Sequence, residues 1–303
     1  MDGILPLWKT KGMTSHDCVF KVRKLLRTKK VGHTGTLDPE VEGVLPICIG
    51  EATKIVPYLT DTTKTYRAVA KIGFSTDTED QTGTVMQQAA VDKPLENDAI
   101  IAVLEGFAGE TQQQVPLYSA VKVNGKKLYE YARANEPVER PIRSITVHNI
   151  RFLDTTYDKV EKTQTIEFEV TCSKGTYIRT LCVDIGKALG YPAHMAHLVR
   201  TATGHIAQDQ TLTLAQLQLM KEEERVIPLL TIDRALAHMD KIEISESTKV
   251  KVLHGQKLPM PEPVPRTPFF RMVYQQHTIA IYQTLNDQHQ IKPARVFRFN
   301  ERK

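Results

Sequence analysis

No stretch of this sequence approaches the ~20 consecutive apolar residues of a membrane-spanning helix, and the first ten residues carry Asp2 and Pro6 where a secretory signal needs an unbroken apolar core. Both absences point to a cytoplasmic protein without membrane contact. Cysteine is scarce: Cys18, Cys48, Cys172 and Cys182 are the only four, and no two stand in C-x-x-C spacing. That argues against a disulfide scaffold and a cysteine-ligated zinc, and leaves four reduced, buried thiols. There is no G-x-x-x-x-G-K-[ST], no G-x-G-x-x-G after a strand, no H-E-x-x-H and no G-x-S-x-G, so nucleotide-cofactor, zinc-protease and serine-hydrolase chemistries lack their motifs. His194 and His197 are three apart without a further ligand type at spacing, which makes them ordinary surface or RNA-facing histidines. Asp77, Glu79 and Asp80 lack the glycine that a calcium loop places at its sixth position. No metal is expected.

Negative charge is missing in particular places. No acidic residue lies between Asp17 and Asp38, while Lys21, Arg23, Lys24, Arg27, Lys29 and Lys30 all do. A second acid-free interval, between Glu169 and Asp184, holds Lys174 and Arg179, and the tail from Lys292 sets Arg295, Arg298, Arg302 and Lys303 against Glu301 alone. The net charge of +5 is modest, but three separate basic runs favour a polyanion, because each phosphate neutralised releases counterions.

What is present is the composition of a globular chain: 41% hydrophobic and 25% charged over 303 residues, enough for two domains. Val19, Val22 and Leu26 recur at helical spacing behind Ser15, predicting a helix to Leu26 with Ser15 as its cap. The segment Val31-Gly32-His33-Thr34-Gly35-Thr36-Leu37-Asp38-Pro39 carries two glycines and Asp-Pro, so it reads as a loop. A buried strand is expected over 44–49 and a short helix over 51–58. Lys64 to Ile72 alternates with Tyr66, Ala68, Ala70 and Ile72 on one face. Further expectations are a helix over 98–107, a hairpin turn at Asn124-Gly125, strands over 143–153 and 163–172, and a helix through Ile178, Leu181, Ile185 and Leu189. The polar, basic segment 112–143 reads as a projecting subdomain. Short β-type runs at 269–274, 278–282 and 296–299 surround a proline-rich link over 259–268. The class is α+β, a mixed or antiparallel sheet flanked by helices over 1–238 with a small β-rich module over 239–303.

An ionised carboxylate in a loop near glycines, preceded by a cation-studded helix, is chemically suggestive because nearby cations keep it deprotonated. By spacing alone, however, Asp38 could be no more than a turn residue. Four segments carry a resemblance that goes further: Lys11-Gly12-Met13-Thr14-Ser15-His16-Asp17; Gly32 to Pro39 together with Gly43-Val44-Leu45-Pro46-Ile47-Cys48-Ile49-Gly50-Glu51-Ala52-Thr53-Lys54; Lys64-Thr65-Tyr66-Arg67; and Cys172-Ser173-Lys174-Gly175-Thr176-Tyr177-Ile178-Arg179-Thr180-Leu181. In order and spacing they resemble the TruB-type tRNA pseudouridine synthases. Pro116 to Gly125 adds a fifth, so the likeness spans residues 3–200. The C-terminal module resembles the family's PUA RNA-binding domain only loosely.

The resemblance implies a cofactor-independent isomerisation of the T-loop uridine of tRNA, position 55, to pseudouridine. Asp38 falls on the catalytic carboxylate, either attacking C1′ or taking the C2′ proton. Tyr66 falls on the tyrosine that stacks on the extracted base, and Arg179 on the arginine that pairs with the aspartate, a task suited to a bidentate guanidinium. His33 matches the residue at the disrupted base stack left when the uridine is flipped out. Asp80 matches a position in the polar network with Arg179, Tyr177 and Leu198 line the base pocket, and Lys9 and Lys174 are taken as RNA contacts. Where the family has proline after its first lysine, this chain has Thr10 after Lys9. The segment 112–143 favours a free-standing, monomeric enzyme that grips the tRNA T-stem-loop itself over a guide-RNA-dependent enzyme of the dyskerin type, which works among protein partners. An RNA chaperone is the alternative from another class.

Overall fold

The computed structural model describes residues 1–285 and 289–298. Its chain divides into two compact units, one of residues 1–40, 44–60 and 205 onward, the other of 41–43 and 61–204. The second unit is built on a sheet in the order Ala193–Thr203, Lys64–Ile72, Thr163–Cys172, Ile142–Asp158, Gly109–Gln114, each strand antiparallel to the next. Glu42 and Gly43 add a short parallel pairing to Val199 and Arg200.

Period-two patterning decides which side of these strands is buried. Ala68, Ala70 and Ile72 alternate with exposed or half-buried neighbours, and Ile166, Phe168 and Val170 of the facing strand are fully buried, with Phe168 opposite Ala68. Burial of each such large side chain contributes roughly 1.5–3 kcal/mol. The helix Ile178–Ala188 buries Ile178, Leu181, Cys182 and Ile185 and packs against Ala193–Thr203. A Cβ at Gly186 would lie 2.2 Å from that of Ala193, so glycine is what permits this close approach. The hairpin Lys122–Val123, Lys126–Lys127 turns at Asn124 (φ 51°) and Gly125 (φ 82°), the left-handed pair that a two-residue turn demands. The helix Leu128–Ala134 follows it. The ends of the segment expected to project instead lie in the sheet, Gln113 and Gln114 paired with Arg143 and Ile142, and Gln112 with Ser144 just beyond the segment; only the part between them lies outside it.

In the first unit, Gly3–Lys9 runs between Leu212–Thr213 and the strand Glu42–Ile49, and Val31–His33 pairs antiparallel with Ile47, Cys48 and Ile49. The helix Ser15–Leu26 has the expected span, but its cap is Thr14, whose hydroxyl accepts from the Asp17 N–H at 3.0 Å. Ser15 is the first helical residue and is buried. The region expected as one short helix is a 3-10 turn, Gly50–Ile55, followed by Val56–Thr60.

The C-terminal residues form a five-stranded sheet in the order Lys241–Glu243, Phe269–Tyr274, His277–Leu285, Gln290–Val296, Leu258–Pro259. The last long strand therefore ends where a strand over 296–299 was expected to begin; Phe299 lies outside the described residues, as do Glu301, Arg302 and Lys303 of the basic tail. Lys292 and Arg295 pair into the sheet despite their charge, on a strand that is anchored by the buried Ile291 of a hydrophobic cluster. That cluster gathers Val252, Phe270, Met272, Ala280 and Tyr282, while Ile281 and Phe297 join Ile4, Val44 and Ile232 in another. All four cysteines are free and buried.

Candidate active site

Residues 33–39 carry Asp38, and their main chain is tied down from several directions within the first unit. The Thr34 N–H donates to Pro46 O (3.2 Å) and the Gly35 N–H to Nδ1 of His33 (3.3 Å), so the histidine ring accepts on that nitrogen. Ser15 Oγ accepts from the Leu37 N–H at 2.9 Å and donates to Leu37 O at 3.2 Å. On the other side of Asp38, Pro39 O accepts from Nζ of Lys9 and from the Gly12 N–H, both at 3.0 Å. Leu37 is buried and Asp38 is exposed. Proline at 39 also biases Asp38 toward extended backbone. The chain thus presents a carboxylate to solvent from an immobilised stretch of backbone.

Lys9 is corrected by the structure. It was expected to touch RNA, yet its side chain is 0% exposed and its ammonium bonds to the carbonyls of Thr10 (3.1 Å) and Pro39. A buried ammonium is costly unless it is hydrogen-bonded, and here the bonds hold the loop.

In the second unit Arg179 is the centre of a polar network. It is only 7% exposed, the second residue of the helix Ile178–Ala188, and its two terminal nitrogens donate to Thr78 O and Tyr118 O, each at 3.0 Å. Asp80 Oδ2 lies 4.0 Å from the guanidinium. The other oxygen of Asp80 accepts from the Thr82 N–H (2.9 Å) and from the hydroxyls of Thr78 (2.8 Å) and Thr82 (2.6 Å). Glu79 accepts from the Thr180 hydroxyl at 2.5 Å and Asp77 from the Thr84 N–H at 2.7 Å. The acidic cluster is therefore a set of separately engaged carboxylates. No group of three metal-ligating side chains occurs among the described residues.

Tyr177 caps this helix, its N–H and carbonyl clasped by the side chain of Gln113 at 2.8 and 3.0 Å. Tyr66 is half-buried in Lys64–Ile72, opposite Val170 on one side and Arg200 on the other, and Leu198 stands opposite Ala68 two residues away. The structure thus gathers Arg179, Asp80 and Tyr177 at one place and Tyr66 and Leu198 on adjoining strands. Lys174 is exposed and ion-paired with Asp61. His194 is buried, not at the surface: its Nδ1 is 3.0 Å from Phe74 O, its ring stacks on Phe74, and burial pushes its pKa down.

Sequence reasoning missed Ser15 as an anchor, Tyr118 as a carbonyl partner of Arg179, and Arg200. Arg200 is 1% exposed, and with burial it helps push Lys64 down to about 8. A charged residue in phase with the apolar Leu198 on the inward face of a strand was the available signal.

The profile of the TruB family pseudouridylate synthase N-terminal domain matches residues 23–178, and that of the tRNA pseudouridylate synthase B C-terminal domain matches residues 179–242. The chain belongs to the TruB family. It is 52% identical over 308 residues, spanning both chains entirely, to the tRNA pseudouridine synthase B of Oceanobacillus iheyensis. To that of Bacillus subtilis strain 168 it is 53% identical over 266 residues, 86% of this chain and 85% of the other. Among solved structures it is similar to a chain of an H/ACA RNP bound to a substrate RNA containing 2′-deoxyuridine, at TM-score 0.73 and 25% identity, over 99% of this chain and 86% of that one. A chain of a Cbf5-Nop10-Gar1 complex gives the same TM-score at 27% identity, over 98% and 84%. The fold is that of the pseudouridine synthases, and the TruB-family chain is an isomerase.

Proposed function

We propose that this protein converts the T-loop uridine of tRNA, position 55, to pseudouridine, acting alone as a monomer in the cytoplasm after flipping the base out of the loop. The observation that carries the reading is the segment Gly32 to Pro39, which combines the family motif with an exposed carboxylate on an anchored backbone. It is supported by identity above 50% along the whole length of a relative named for this class of reaction. Asp38 is the catalytic carboxylate, and Tyr66 and Arg179 complete the catalytic set. The carboxylate attacks C1′ or removes the C2′ proton; on either route the N1–C1′ bond breaks, the base turns, C5 bonds to C1′ and gives up its proton, and N1 ends protonated, with the C2′ proton returned on the second route. Product and substrate are isomers, so no redox partner or group donor enters the balance.

His33 stabilises the gap left in the base stack, Asp80 orients the network around Arg179, Tyr177 and Leu198 line the pocket for the flipped base, and Lys174 contacts the phosphate backbone. The residues between Gln114 and Ile142 grip the T-stem-loop, where Lys126 lies over the ring of Tyr131 at 4.6 Å and Lys127 over that of Tyr129 at 5.3 Å. Stacked aromatic and cationic side chains of this kind suit RNA. Residues 239–303 serve as a second RNA-binding module.

The test is incubation of the purified chain with an unmodified tRNA transcript, scored for pseudouridine at the T loop, beside the Asp38→Asn variant. Wild type is expected to form product, and the variant to be slower by roughly 10³-fold or more with tRNA affinity and Tm unchanged. Absence of wild-type product with tRNA binding intact overturns the reading in favour of a chaperone or a guide-dependent enzyme.

A further inference from the structure

Ser15 grips the residue next to Asp38 on both of its main-chain groups. Its Oγ accepts from the Leu37 N–H at 2.9 Å and donates to Leu37 O at 3.2 Å, and the side chain is 1% exposed. The helix Ser15–Leu26 has no use for this hydroxyl, since Thr14 caps it. Among the described residues Ser15 makes no side-chain hydrogen bond to another side chain; its hydroxyl is devoted to a residue twenty-two positions away.

Leu37 O belongs to the peptide plane that ends at the Asp38 nitrogen. With the N–H fixed as well, the planes on both sides of the Leu37 Cα are held to the helix, and the apolar side chain of Leu37 is buried beneath them. Beyond Asp38, Pro39 O takes the bonds from Lys9 and Gly12. Asp38 therefore stands between two anchored peptide groups, one of which depends on a single oxygen. A misplacement of the order of 1 Å of a reacting group costs about 10²-fold in rate.

We propose that Ser15 is a positioning residue for Asp38: its hydroxyl sets where the carboxylate stands, without touching RNA. The proposal rests on the reading of Asp38 as the catalytic group.

Four variants of the full chain separate the two claims, each assayed for single-turnover pseudouridine formation at saturating tRNA, for tRNA Kd, for Tm and for amide hydrogen exchange at Leu37. Ser15→Ala is expected to slow the chemical step about 100-fold, leave Kd within about twofold and speed exchange at Leu37. Ser15→Cys, which keeps the shape and weakens both bonds, is expected to fall between Ala and wild type, and decides the matter if the alanine variant does not fold. Thr14→Ala removes the cap of the same helix without touching the loop; it is expected to lower Tm and leave the rate alone, which separates loop placement from helix stability. Asp38→Asn supplies the floor. A wild-type rate in the serine variants with an inactive Asp38→Asn overturns the role of Ser15 and keeps that of Asp38. A slow step matched by an equal loss of Kd, or by an equally slow Thr14→Ala, also overturns it. An active Asp38→Asn instead removes the reading on which the proposal stands.

Discussion

The loop 33–39 holds its exposed carboxylate through the main chain, whereas the network in the other unit holds a buried guanidinium by its own nitrogens. Around Asp38 the bonds go to Leu37 and Pro39 backbone, from Ser15, Gly12 and Lys9. Around Arg179 the carbonyls of Thr78 and Tyr118 come to the side chain itself, with Asp80 alongside. The difference teaches how each kind of charge is placed. A short side chain with few rotamers is positioned by fixing the backbone beneath it. A long guanidinium has to be fixed at its tip, and its fork geometry supplies the donors for several such bonds at once.

This contrast is most exposed at Arg179. Arg179→Lys keeps the charge but a single ammonium cannot reproduce the paired bonds to Thr78 O and Tyr118 O. The expected result is a fall in kcat of about 10²-fold and a stability loss of roughly 1–3 kcal/mol from a carbonyl left unsatisfied, measured by single-turnover kinetics and urea unfolding. A variant as active as wild type would show that the tip needs no such fixing. Lys9→Met tests the main-chain side. Because Pro39 O retains the Gly12 N–H after the ammonium is gone, the rate is expected to fall by no more than about tenfold, with about 1–2 kcal/mol of stability lost. A loss of rate as large as that of Arg179→Lys would mean that the lysine does more than anchor.

The smallest effect concerns Asp184, on the same helix as Arg179. Burial, and then the neighbouring Glu79, push its carboxyl up to about 6 from 3.8. A folded-state pKa above the unfolded one means that the native state holds the proton more tightly, so the stabilisation is present below about pH 4 and is lost as the pH rises through 6. Asp184→Asn is therefore expected to raise Tm by roughly 3 °C at pH 7.5 and to leave it unchanged at pH 4. Equal shifts at both pH values would show that its charge is not what costs stability.

Much of the scaffold was legible because its signals are local. The strand Lys64–Ile72 follows its period-two pattern to the residue, and Asn124-Gly125 turns where its backbone preferences demand. Asp38, Tyr66 and Arg179 were singled out by motif resemblance alone, and their catalytic roles stay proposals. What was not legible depends on pairs far apart in the chain: Arg179 meets Thr78 and Tyr118 across 101 and 61 residues. Lys9 and Ser15 were misread for a related reason. A lysine in a basic protein that binds a polyanion looks like a phosphate contact, and a serine at a helix start looks like a cap, until burial shows that each has a backbone partner. The pairing of Gln112 to Gln114 into the sheet went unseen because those residues are polar, and only Gln113 is buried.

The four buried thiols have a practical consequence. Burial raises the pKa of Cys18 and Cys182, and pushes Cys172 and Cys48 up to about 11 and about 12. The nucleophilic thiolate is thus nearly absent at neutral pH. An alkylating dye or cross-linker meets no competing handle on the native surface, so one cysteine introduced at the exposed end of the helix that follows the hairpin, as in Ala134→Cys, would report on RNA capture by fluorescence in an otherwise unaltered chain.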